Sequence, residues 1–175
     1  MSMNLNTHHT EFWLQGPVKG IPALLQPAAH ALLQSEKELK VYLKDFPKEF
    51  LWKKVSGRAS VGFHVQHVTG VLDRMMTYAE GKGLSEAQFT YLEREGEENA
   101  NLEPEYLQCQ FSNQVKKALT YFQTITEKRL KEKRTVGRQK LPSTVLGLLF
   151  HAAEHSQRHV GQLLVTVSVL TDDGN

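Results

Sequence analysis

Four stretches of this chain repeat apolar side chains at three- and four-residue spacing, and no stretch alternates apolar with polar residues for more than a few positions. A period near ~3.6 is what a helix needs to bury one face, so the pattern directs the chain to an all-α fold. The first stretch follows the Pro17 to Pro22 segment, carries Ala23, Leu24, Ala28, Ala31, Leu32, Leu39 and Leu43, and ends before Pro47. A second helix is expected from Val61 to Tyr78 or just beyond, with Ser60 as its N-cap and the Gly81 to Gly83 turn as its stop. Between Leu84 and Glu105 the chain turns acidic and polar, which predicts a short helix and then an ordered loop.

Pro104 suits the first turn of a third long helix, whose stripe runs through Tyr106, Leu107, Phe111, Val115, Leu119, Phe122, Ile125 and Leu130. Pro142 and Ser143 are expected to open the fourth, which runs to the polar tail TDDGN. The sum is a four-helix bundle with a short extra helix or loop between helices 2 and 3, in one domain over residues 1–175 with its core at about 22–170.

Composition narrows the function classes. With 40% hydrophobic and 23% charged residues the chain reads as soluble and globular. No segment approaches the roughly 18 uninterrupted apolar residues of a membrane span. A net charge of +2 does not argue for nucleic acid, and the basic run from Lys128 to Lys140 is interrupted by Glu132 and lacks interleaved aromatics. The opening MSMNLNTHHTEFW has neither a basic start nor an apolar run, so no signal peptide is expected. Cys109 is the only cysteine, which suits a reducing cytoplasm, and a small buried hydrophobe on the third helix is its expected role.

Histidines carry the chemistry. Of eight in the chain, His64 and His67 fall on the second helix and His151, His155 and His159 on the fourth. Residues four apart on a helix lie about 6 Å apart along the axis on one face, so His155 and His159 can share one ion, as can His151 and His155. His151 and His159, separated by about 12 Å of helix rise, cannot both join it. A further ligand from another helix is then required, and spacing alone leaves His64 and His67 as equal candidates. The HExxH pattern of a zinc protease is absent, since Ala152–Ala153 and Ser156–Gln157 follow the first two histidines of the fourth helix. A diiron site would need carboxylates spread over all four helices. His8, His9 and His30 are expected to be bystanders.

Two motifs also carry a resemblance. LWKKVSGRASVGFHVQHVTGVLDRM, beginning at Leu51, and HSQRHVGQ, beginning at His155, are similar to sequences of the DinB-like superfamily of four-helix metalloenzymes; YAEGKGLSEAQFTYLERE resembles that family's connection between helices 2 and 3. The resemblance runs from about Leu24 to Leu170 and implies His67, His155 and His159 as ligands of a divalent metal, with His64 and His151 outside. Zinc or nickel is the expected ion, with iron or manganese as alternatives. Three neutral imidazoles leave positions open for water or substrate, the pattern of a catalytic ion. Superfamily members that use bacillithiol or mycothiol imply a transferase or isomerase activating a low-molecular-weight thiol. The rival is a non-enzymatic helical binding or regulatory module with a vestigial metal site. Expected partners are a small-molecule substrate and a second copy in a homodimer, without nucleic acid or membrane. Glu154, Asp73 and Gln162 are candidates to hold the outer ring nitrogens, and Arg74 and Tyr78 to line a substrate pocket.

Overall fold

The computed structural model describes residues 10–172. His8 and His9 lie outside this range. Each expected helix forms: α1 spans Gln26–Tyr42, preceded by a 3-10 turn at Ala23–Leu25; α2 spans Val61–Ala79; the short α3 spans Glu86–Glu93; α4 spans Pro104–Gln123. A single turn, α5 (Glu127–Leu130), leads to two short strands, β1 (Lys133–Val136) and β2 (Leu141–Thr144), and then to α6 (Val145–Thr171). No helix among the described residues is long and apolar enough to cross a membrane.

Local chemistry sets the boundaries. The Ser60 hydroxyl accepts from Phe63 N–H and caps α2, and Ser85 with Gln88 forms a reciprocal capping box on α3. Pro104 occupies the first turn of α4, where its missing N–H costs nothing. The four long helices bury Leu32 and Leu39, Val65 and Leu72, Phe111 and Phe122, and Leu149 and Leu163 in one core. Helix α6 packs on α1 and α2, and α4 closes the other side of α2 and α1.

Three expectations change. The apolar stripe of α4 does not continue to Leu130, because the β-branched run Thr124–Ile125–Thr126 interrupts it. Thr124 Oγ1 donates to the Tyr121 carbonyl at 2.7 Å and Thr126 instead caps α5, so both side chains compete with helical bonding. The basic run leaves the end of α5 and enters an antiparallel hairpin, with Val136 opposite Leu141 and Thr135 opposite Pro142. Its four-residue strands are too short to show alternation, and Pro142 is tolerated because a two-stranded ladder has only edges. Arg134 Nε donates to the Ala79 carbonyl at 2.8 Å and ties the hairpin to the end of α2. Helix α6 therefore opens at Val145 with Thr144 as its cap, three residues after Pro142. Cys109 is exposed rather than buried, on the outer face of α4 with Asn113 Nδ2 at 3.7 Å from its sulfur.

The Trp52 ring lies against the start of α2. A Cβ added at Gly62 would come within 2.5 Å of that ring, and Trp52 Nε1 donates to the Asn99 carbonyl at 3.1 Å. Gly62→Ala should therefore destabilise the fold by about 1–3 kcal/mol through overpacking, although alanine is the better helix former. The urea midpoint measures this, and an unchanged or raised midpoint contradicts the packing.

Candidate metal centre

Helices α2 and α6 cross with their histidines facing each other. His67 from α2 and His155 and His159 from α6 each offer a ring nitrogen within 4.8 Å of the other two. The ring centroids are 5.1 Å apart for His67 and His155, 4.6 Å for His67 and His159, and 4.4 Å for His155 and His159. His67 Nε2 and His155 Nε2 are 2.9 Å apart. Nitrogens bound to one tetrahedral zinc at ~2.0–2.1 Å sit about 3.3 Å from each other, so the His67–His155 pair already lies near the spacing one ion requires. The donor set suits the first-row divalent metals.

Two further histidines border this group. Buried His64 lies behind it, its Nδ1 2.9 Å from His159 Nδ1, so one of the two atoms donates and the other accepts. His151 is exposed and bonds Glu154 at 2.8 Å. With Glu154 and His155 it forms a second close group of donors. That group already holds a cation, since Arg158 Nη2 lies 2.6 Å from His155 Nδ1 and 3.4 Å from Glu154 Oε1. His30, on α1, bonds the Gly16 carbonyl at 3.0 Å.

Proton positions follow from donor logic. A guanidinium cannot accept, so His155 Nδ1 carries the lone pair and His155 Nε2 the proton. That proton points at His67 Nε2, which leaves the His67 proton on Nδ1. His67 Nδ1–H donates to Glu95 Oε2 at 2.6 Å, and Arg74 Nη1 donates to Glu95 Oε1 at 2.6 Å. Glu95 is 3% exposed and lies just past α3. It was not foreseen, because 28 residues separate it from His67 and it stands in an acidic segment, EREGEEN, where one carboxylate looks like the next.

The expected outer partners fall elsewhere. Asp73 accepts from Gln88 and Gln114, Glu154 faces His151 and Arg158, and Gln162 is exposed. Arg74 is buried against Glu95 and also lines a 210 Å³ cleft with Asp73, Gln88 and Gln114. Tyr78 is partly buried against the core. A groove of 780 Å³ is lined by Gln66, Tyr91, Arg94 and Glu97 and by none of the histidines.

Burial favours the neutral form of His64, His155 and His159. It lowers the pKa of His64 and His155 to about 4, assisted by the nearby His67, and that of His159 to about 3, assisted by His67 and His155. Neutral imidazole is the form a metal binds. In the unfolded chain these groups take up protons near pH 6.5, whereas in the fold they resist until about pH 4. Between those values the unfolded state binds more protons, so stability falls as pH falls. The urea midpoint of chelator-treated protein should drop between pH 7 and pH 5; a flat profile contradicts buried neutral imidazoles.

No curated protein matches the chain. The model of the DinB superfamily matches residues 31–163, from α1 through both histidine-bearing helices. The chain belongs to the DinB superfamily.

Proposed function

We propose that His67, His155 and His159 hold one divalent metal, zinc or nickel first among the candidates, and that the protein uses it on a small-molecule substrate. The observation that carries this reading is the convergence of three imidazoles, from two helices far apart in sequence, within 4.8 Å. When bound, such an ion lowers the pKa of a coordinated water or thiol and makes a nucleophile near neutral pH. A low-molecular-weight thiol is the proposed nucleophile, which makes the reaction a thiol transfer or isomerisation in a reducing, cytoplasmic setting.

The chain's own residues prepare that site. Phe63 stacks on the His67 ring at 5.1 Å and 12°, which restricts the ring's rotation and supplies an apolar wall. Glu95 keeps the His67 proton on Nδ1, so Nε2 faces inward with its lone pair. His155 must shift its proton from Nε2 to Nδ1 to become a ligand, and Arg158 then loses its acceptor there. Glu154, 3.4 Å away, is ready to take that guanidinium. Holding an ion would therefore ask only the exposed Arg158 to turn and would leave the buried carboxylate in place.

Elemental analysis of protein purified without a nickel column should find about one divalent metal per chain. His67→Ala, His155→Ala and His159→Ala should each lose it, and His151→Ala should keep it; equal occupancy in all four variants contradicts the assignment. Metal-loaded protein incubated with a panel of thiols and monochlorobimane should turn over above the metal-free control. Metal binding with no thiol-dependent turnover would instead identify a non-enzymatic module. A homodimer belongs to the same proposal, and sedimentation equilibrium tests it.

A further inference from the structure

We infer that Glu95 is a positioning residue for His67: held by Arg74 and by the close approach of its loop to α2, it selects the one imidazole tautomer of His67 that can bind a metal. The inference rests on the metal site proposed above and goes beyond it, since Glu95 is not among the ligands.

Glu95 is fixed from several directions. Its Oε1 accepts from Arg74 Nη1 and its Oε2 from His67 Nδ1–H, each at 2.6 Å, and both the carboxylate and the guanidinium are buried. Gly70 provides the seat, one turn along α2 from His67: an added Cβ would lie 2.3 Å from Glu95 Oε1 and 2.5 Å from Arg74 Nη1. The following residue, Gly96, has φ of +81°, donates its N–H to Gln66 Oε1 at 2.7 Å and lies so close over Phe63 that a Cβ would be 2.8 Å from that ring. Tyr91 Oη donates to the Gln66 carbonyl at 3.1 Å. The segment after α3 is thus clamped to the same turn of α2 that carries His67, with the carboxylate as its innermost group.

Charge makes the tautomer choice one-sided. A buried carboxylate can only accept, and Arg74 already occupies one oxygen, so the other is satisfied by a proton on His67 Nδ1. Nε2 is then left with its lone pair facing His155 and His159. Arg74 orients the carboxylate through its 2.6 Å bond to Oε1. An isosteric amide reverses the preference: in Glu95→Gln the side-chain oxygen is required by Arg74, and the NH2 group faces His67 Nδ1. That arrangement favours a lone pair on Nδ1 and a proton on Nε2, the tautomer that cannot coordinate inward.

Two readouts on the full-length protein test this. Long-range ¹H–¹⁵N spectra of metal-free protein should show His67 protonated on Nδ1 in the wild type and on Nε2 in Glu95→Gln. Zinc affinity, measured by competition with a chromophoric chelator, should fall about 10- to 100-fold in Glu95→Gln. A merely structural role for Glu95 would shift the melting temperature and leave the tautomer unchanged. Should Glu95→Gln fail to fold, Glu95→Ala combined with Arg74→Met removes the buried cation together with its partner; the same loss of zinc affinity and of the Nδ1–H preference is expected. Unchanged affinity and an unchanged tautomer in the folded variant overturn the inference. Wild-type protein that binds no zinc overturns the metal reading instead, and the metal-free spectra still decide the role of Glu95.

Discussion

The close packing of α6 against α2 is the constraint on which the rest depends. Small residues on α6, Ala152, Ala153 and Ser156, are fully buried, and Gln157 reaches α1 to donate to the Ala31 carbonyl and Ser35 Oγ at 2.9 and 2.8 Å. Short side chains let the helix axes approach, and the half-buried amide of Gln157 ties α6 to α1. With rotation and spacing fixed in this way, the histidines one helix position away from the core meet at the rim of the interface, partly exposed, where an ion and a substrate can reach them.

A second layer of organisation comes from the segment between α2 and α4. Its length and acidity resemble a surface connection, yet one of its carboxylates enters the structure and pairs with Arg74 beneath the His67 ring. An ion pair at 3% and 6% side-chain exposure is costly to desolvate and is compensated only when both partners are well bonded. Here the Glu95 oxygens have separate donors, Arg74 and His67. The same pair therefore joins fold and site: it anchors the segment after α3 and orients a candidate ligand.

Much of this was legible in the residues. The long helices followed from apolar spacing, and Ser60 and Pro104 marked where two of the helices begin, because capping is a local interaction between neighbours in the chain. The hairpin was not legible: four-residue strands carry too little alternation, and Lys133 and Thr144 pair only because α5 and α6 hold their ends together. Nor was the exposure of Cys109, since one position on an amphipathic helix can face either way near the edge of its apolar stripe.

For the candidate site, the sequence by itself determined that two helices carry histidines at coordinating spacing and that His151 and His159 cannot share an ion, since helix rise is a property of the backbone alone. Only the tertiary structure shows that ring nitrogens of His67, His155 and His159 lie within 4.8 Å of one another while His64 meets His159 from the buried side, because that depends on how α2 is rotated against α6. It also decided which of many acidic residues matters. Glu95 is distinguished by burial beside Arg74 and by a 2.6 Å contact with His67, and burial is created by the packing of distant segments rather than by any residue's neighbours in the chain.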